Sequence, residues 1–288
     1  MKQSPLTGGT TTFVRHLPIA PIVAHYGEYD ITPLFRDISD IAIYRCDDTG
    51  YEFYYPYSIA GDDMFYQHVS KEPLYYIPWK REHDIANTYI KTGDVVLEQG
   101  CANGDFLIRI KNEKNCIPVG TELNTEAKAK ATERGVSFDT TTSADVVCSF
   151  QVLEHIADVR AFITEGLTSL RSGGYLIFGV PNNDSLLKDD GYAFSNMPPH
   201  HMGLWTPSVF RKLSEYFPID VVDIHEETLQ PYHYRWYYQV YFGNQFKRFG
   251  FAGKVFNKLA YELLGKWIIA HKAQTITGHT IVAVFKKR

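Results

Sequence analysis

The sequence predicts an α/β protein built on a doubly wound, mostly parallel sheet of seven strands with an antiparallel last strand. An N-terminal aromatic-rich extension and a C-terminal helical insertion complete the expected architecture. Three observations lead there. From Asp94 onward, short apolar runs alternate with segments of helical spacing. Parallel strands joined in this way need right-handed crossovers, with helices on both faces of the sheet. A glycine-bearing turn, Gly100 to Gly104, follows the first run. The 20 Tyr, 18 Phe and 4 Trp are unevenly spread, with 11 in 44–79 and 13 in 232–267 but only six in 94–184. A lean core with two specialised additions is the expected plan.

The elements follow in order. Residues 1–80 are rich in Pro and Tyr and are expected to form short elements acting as a lid. Val95-Val96-Leu97 is the first core strand, and Phe106, Leu107 and Ile110 give the next segment a helical face. Ile117–Thr121 is the second strand, leading to Glu122 and a helix opened by Asn124 or Thr125. Val136-Ser137-Phe138 is a brief third strand and Asp145–Phe150 a fourth, with too little chain between them for a helix. Asp158 starts a helix carrying Val159, Phe162, Ile163, Leu167 and Leu170. The turn Arg171 to Gly174 then feeds a fifth strand, Tyr175–Val180. Thr206-Pro207 opens another helix, because proline suits the first helical position. Ile219–Ile224 and Thr280–Phe285 are the last strands, separated by the insertion at about 230–277. Within it Val255, Leu259, Leu263 and Leu264 recur at helical spacing among lysines. That stripe is expected to pack on its own domain or on a second subunit, with a membrane surface as the alternative.

Composition narrows the function classes. Of the 288 residues 44% are hydrophobic and 22% charged, as in globular chains. A formal net charge of −4 offers no electrostatic footprint for a nucleic-acid binder. Cys46, Cys101, Cys116 and Cys148 are isolated, so neither a disulfide framework nor a closed zinc site is expected, and the cytoplasm is the expected compartment. The N-terminus lacks an apolar signal core, and no stretch approaches the ~18 apolar residues that span a bilayer.

In an open parallel sheet a ligand sits at the carboxyl ends of the strands. The first strand ends in Glu98-Gln99-Gly100-Cys101-Ala102-Asn103-Gly104-Asp105, where glycines let a ligand approach the main chain and the next helix offers free amides. Glu122 closes the second strand, where a carboxylate can accept both hydroxyls of a ribose. Together these residues point to an adenosine-containing cofactor. A dinucleotide would need GxGxxG, which Ala102 and Asp105 interrupt, and Glu98 would repel a pyrophosphate. Beside a sulfonium or an ammonium group the same carboxylate is attractive, which favours S-adenosyl-L-methionine. An NAD(P)-dependent oxidoreductase and a non-catalytic adenosyl-ligand binding protein are the alternatives.

Val96 to Leu107 resembles the first motif of the class I S-adenosylmethionine-dependent methyltransferases, a family with a Rossmann-like fold. Glu122 matches their ribose-binding acid. Ser149 to Ile156 is similar to the segment after their fourth strand, and Leu170 to Leu176 with Val180-Pro181-Asn182 to their fifth-strand region. The resemblance covers roughly 80–288 and implies one methyltransferase domain at 81–288. It implies that Glu98 binds the methionine amino group, directly or through water, over the backbone of Gly100, Cys101, Ala102, Asn103 and Gly104. It further implies Glu122 on the ribose, Leu123 packed on adenine, and Gln151 and Leu153 lining the methionine and adenine sides. Asp139 is the candidate for the adenine amine. Two departures stand out: the short 138–145 stretch, and Ala102 in place of a frequent glycine, which a negative φ would accommodate.

Methyl transfer is a displacement that alignment alone can accelerate strongly, and a base is needed only if the acceptor must lose a proton. His155 stands at a strand end facing the acceptor side, as base or as brace for the next helix. His200 and His201, in Met197-Pro198-Pro199-His200-His201-Met202-Gly203-Leu204-Trp205, are base, substrate-contact or loop-bracing candidates. A metal would need further ligands that the sequence does not make evident, so none is expected. In the family that the chain resembles, the segment before the first core strand folds over the cofactor, which implies Tyr76 or Arg81 on the cofactor carboxylate, with packing of an added subdomain as the alternative. The expected partner is a small-molecule acceptor, with no nucleic acid, and the chain is expected to be a monomer or homodimer.

Overall fold

The computed structural model describes residues 2–27, 29–72, 77–191, 193–243 and 250–288. The chain opens with β1 (Thr11–Leu17), α1 (Ile19–Tyr26), β2 (Ile41–Cys46), β3 (Glu52–Tyr55) and α2 (Asp63–Val69). The core follows with α3 (Arg81–Tyr89), β4 (Val95–Gln99), α4 (Asp105–Lys114), β5 (Ile117–Thr121), α5 (Thr125–Glu133), β6 (Ala144–Phe150), α6 (Val159–Ser169) and β7 (Leu170–Pro181). Then come β8 (Gly203–Leu204), α7 (Pro207–Lys212), β9 (Ile219–Thr228), α8 (Tyr234–Tyr241), α9 (Gly250–Ala260), α10 (Lys266–Lys272) and β10 (Thr277–Lys287).

The core sheet has the order β5-β4-β6-β7-β10-β9. β4 to β7 run parallel, and β10 is antiparallel to both of its neighbours, so the last strand alone is reversed. Six strands form where seven were expected. The third is reduced to one parallel bridge between Ser137 and Val119. Its cause is local: the Ser137 hydroxyl accepts from the Asp139 amide at 3.2 Å, and the Asp139 carboxylate from the Thr141 amide at 3.0 Å, so the chain turns away after one residue. No helix separates this bridge from β6.

Side chains alternate across the strands and feed two cores. Leu97, Val147, Leu176 and Phe178 pack toward α6 and α7 with Ile163, Leu167, Val209 and Phe210. Val96, Val146, Cys148 and Ile177 pack toward α3 and α4 with Ala86, Phe106, Leu107 and Ile110. Helix starts are capped as the sequence suggests: Asn124 accepts from Glu126 and Ala127, Asp158 from Ala161, and Thr206 from Val209.

The N-terminal extension builds its own antiparallel sheet, β1-β2-β3-β8, whose fourth strand is donated by the loop after β7. It has a core of its own around Ile41, Ile43, Ile59 and Phe65. Leu6, Cys46, Tyr51 and Phe53 nevertheless belong to the main core beside Trp205 and Phe210, so the extension is fastened to the domain. The insertion packs through Tyr238, Tyr261 and Ile269 onto Leu186 and Leu229. The stripe expected to pack on its own domain does not do so: Val255, Leu259, Leu263 and Leu264 are 45, 52, 73 and 64% exposed. A second apolar row, at positions 261, 265 and 269, turns inward in its place, with Gly265 lying against the Tyr238 ring. No helix among the described residues is long and apolar enough to cross a membrane.

Trp205 is fully buried where the two layers meet, stacked on Phe210 at 4.9 Å and tilted against Tyr51 at 4.6 Å. Trp205→Ala should therefore lower the unfolding free energy by about 3–5 kcal/mol. Denaturant unfolding that shows a loss within experimental error of zero would contradict this joint.

Candidate functional site

Crossovers bring the carboxyl ends of β4, β5 and β6 to one edge of the sheet. The turn after β4 is left-handed at three positions, with φ +77° at Gly100, +46° at Ala102 and +75° at Gly104. A Cβ at Gly100 would lie 2.6 Å from Val152, so glycine is needed there for contact as well as for backbone. The negative φ expected at Ala102 is not what forms: alanine sits in a region that costs an L-residue on the order of 1–2 kcal/mol. What holds it is Glu122, whose carboxylate accepts from the Ala102 amide at 2.8 Å and from the Asn124 amide at 2.7 Å. Cys101 is buried against Gly120, and the Asn103 carbonyl accepts from Arg134 at 2.7 Å.

Glu98 lies beneath this turn. It is 5% exposed, and its Oε2 has no hydrogen-bond partner. Burial, then the neighbouring charges of Glu122 and Asp105, push its pKa up to about 8. An anionic diphosphate would aggravate that repulsion, whereas a cationic group would relieve it. The donor set therefore fits a ligand with a cationic end above Glu98 and hydroxyl groups near Glu122.

The remaining expected cofactor contacts divide. Leu123 is 92% exposed beside Glu122, open to a stacking ring. Asp139 is exposed, and its hydrogen bond to Thr141 lowers its pKa. Gln151 has φ +56°, donates its amide to Gly179 O at 2.7 Å and sends Nε2 to Glu82 Oε1 at 3.3 Å. Leu153 is fully buried in the core on the α6 side, where its side chain packs. Arg81 opens α3 and lines a small cavity with Glu82, His225 and Glu227. Tyr76 lies outside the described residues.

The three candidate histidines, 45 positions apart in the chain, meet in one cluster. Ring centroids lie 4.7 Å apart for His155 and His200, 4.8 Å for His155 and His201, and 4.8 Å for His200 and His201. The loop bearing the pair is held on both sides. Met202 N donates to Glu154 O at 2.7 Å, and Gly61 N to Pro199 O at 2.7 Å. From α2, Tyr66 donates its hydroxyl to His200 O at 3.1 Å and sets its ring edge-on to His155. Burial pulls the pKa of His155 down to about 4 and that of His200 to about 3, so both rings are neutral at pH 7. Sequence reasoning gave Glu154 no role. It is 1% exposed between these rings, and both of its oxygens lack hydrogen-bond partners. The available signal was a lone acid inside the apolar run Val152 to Ile156.

The sequence profile of a family described as a methyltransferase domain matches residues 78–253. No curated protein matches the chain. Among solved structures, a coclaurine N-methyltransferase bound to N-methylheliamine and S-adenosylhomocysteine is similar at 15% identity, covering 72% of each chain, with a TM-score of 0.47. A methyltransferase from Geobacter sulfurreducens in complex with S-adenosyl-L-homocysteine shares 15% identity over 80% of this chain and 100% of its own, with a TM-score of 0.46. One from Thiobacillus denitrificans in the same complex shares 15% over 80% and 100%, with a TM-score of 0.45. With the family profile matched over more than half of its length, the chain belongs to the class I S-adenosylmethionine-dependent methyltransferases.

Proposed function

We propose that the protein methylates a small-molecule acceptor at oxygen, nitrogen or carbon, using S-adenosyl-L-methionine bound at the ends of β4 and β5. The observation that carries the proposal is Glu98, a buried carboxylate with one oxygen unpartnered beneath a left-handed turn. When bound, the cofactor supplies a methyl group on a positively charged sulfur, transferred by direct displacement. Glu98 receives the ammonium of the methionine part, and Glu122 accepts the ribose hydroxyls with the lone pairs that its two backbone contacts leave. The turn from Gly100 to Gly104 supplies a bare main-chain floor, and Leu123 a face for adenine. The roles of Gln151, Asp139 and Leu153 are secondary: Gln151 fixes the strand end, Asp139 shapes the adenine rim and Leu153 packs from below.

The acceptor side is bounded by the fastened N-terminal layer and by the loop carrying His200 and His201. The net charge of −4 disfavours nucleic acid as acceptor. Four free, buried thiols suit a reducing, cytoplasmic setting.

Calorimetry should detect S-adenosylhomocysteine binding at micromolar levels, weakened at least tenfold by Glu122→Ala. Tight NADH binding with none for the adenosyl ligand would refute the assignment. Proton linkage supplies a sharper test. Free Glu98 is largely protonated at pH 7, so pairing with an ammonium expels its proton. Binding at pH 6.5–7.5 should release close to one proton, read from the dependence of the binding heat on buffer, and Glu98→Gln should abolish the release. In the ligand-free protein the same raised pKa means that the folded state holds a proton which the unfolded state has lost. Stability should thus fall as pH rises from about 5 to 8, by on the order of 1 kcal/mol per unit from this group. A Glu98→Gln profile as steep as the wild type would show that the carboxyl is not buried as described.

A further inference from the structure

We propose that His155, His200, His201 and Glu154 form a binding site for one divalent first-row transition ion of the zinc type. One ring nitrogen from each histidine lies within 4.8 Å of the other two, in the only such group among the described residues. Each Nδ1 has an oxygen acceptor, at 2.6 Å from His200 O for His155, 3.0 Å from Ser195 O for His200 and 3.0 Å from Asn196 Oδ1 for His201. With the proton on Nδ1 each ring would turn its Nε2 lone pair to an ion, and His155 would give up its alternative contact, Nε2 to Gln151 O at 3.1 Å. A ring N–H anchored to an oxygen acceptor is the usual support behind a metal-bound histidine.

Glu154 supplies the independent observation. Its Oε1 lies 3.9 Å from His155 Nε2 and 4.0 Å from His201 Nε2. These separations are too long for hydrogen bonds and exceed the roughly 3.3–3.4 Å between two donors on one tetrahedral ion with bonds of about 2.0–2.1 Å, so the ligands would close in by about half an ångström or more on binding. Both carboxylate oxygens are buried without a partner, and a carboxylate so placed is expensive unless a cation faces it. Lys80 offers only partial compensation, since the charge of Glu82 opposes it.

Three neutral imidazoles and one carboxylate suit zinc, with nickel, iron and copper as chemical relatives. Four protein ligands would close the site, which makes its role structural. It would tie the loop after β7, which also donates β8, to the loop after β6 that packs under Gly100. This explains the conjunction of His155 with the histidine pair without asking any of them to act as a base.

The test uses the full chain with any purification tag removed. Elemental analysis of the purified protein should find close to one zinc-type ion per chain. After stripping with a chelator, cobalt(II) titration should give visible d–d absorption at one equivalent. Zinc should also raise the thermal midpoint of the stripped protein by several degrees. Glu154→Gln, nearly isosteric, should weaken cobalt binding at least tenfold while leaving S-adenosylhomocysteine binding detectable, and His201→Ala should do the same. If a variant fails to fold, the wild-type cobalt spectrum decides alone. Stripped wild type that gains neither spectrum nor stability overturns the proposal, as does metal binding unchanged in both variants. In that outcome Glu154 would keep its own proton as a neutral buried acid.

Discussion

The contact on which the site depends is Val152 packed into the space where Gly100 has no side chain. A Cβ at Gly100 would meet Val152 at 2.6 Å, and the positive φ of Gly100 excludes most other residues as well. Because that contact can form, the turn after β4 and the loop after β6 close on one another. The first carries Glu98 and the anchored Ala102; the second carries Gln151, Glu154 and His155. The cofactor end and the histidine cluster are thus two sides of one joint.

Two buried carboxylates give this joint its electrostatic character. Glu98 and Glu154 are each held without a full set of partners, and burial pushes both of their pKa values up to about 8. Folding alone would select against such groups, since an apolar side chain of similar size packs at lower cost. The two proposed ligands would complete them: a cationic head group at Glu98 and an ion at Glu154. Strain points the same way. Ala102 in a left-handed conformation is supported by the Glu122 carboxylate, so the residue proposed to read the ribose also holds the turn in shape.

The core was legible because its signals are local. Apolar runs of strand length, caps at Asn124, Asp158 and Thr206, and the Gly100 to Gly104 turn each act within a few residues of themselves. The third strand was misjudged because an Asx turn at Asp139 redirects the chain after Ser137, a preference that three apolar-leaning residues do not reveal. In the insertion the expected stripe does not pack on its own domain, which leaves a second subunit or a membrane surface of the expected coverings. Positions 255, 259 and 263 and positions 261, 265 and 269 both make an apolar row at helical spacing. Only the fit of Gly265 against Tyr238 selects the inward one. Periodicity identifies a face, and packing chooses between faces.

By itself the sequence determined the order of strands and helices, the glycine turn after β4, and the acids that flank it. Each of these follows from backbone propensity and from charge at a strand end, properties that travel with the residue. The tertiary structure decided what meets across the chain. It brought His155 to His200 and His201, placed Glu154 between them without a partner, and stitched the aromatic N-terminal layer to the core through Tyr51, Phe53 and Trp205. Such pairings are set by crossovers and loop closure, over separations of 45 residues or more, and no local pattern encodes them. The aromatic excess divides in the same way: Tyr51 and Phe53 fasten the extension to the core, and Tyr238 and Tyr261 pack the insertion onto Leu186 and Leu229.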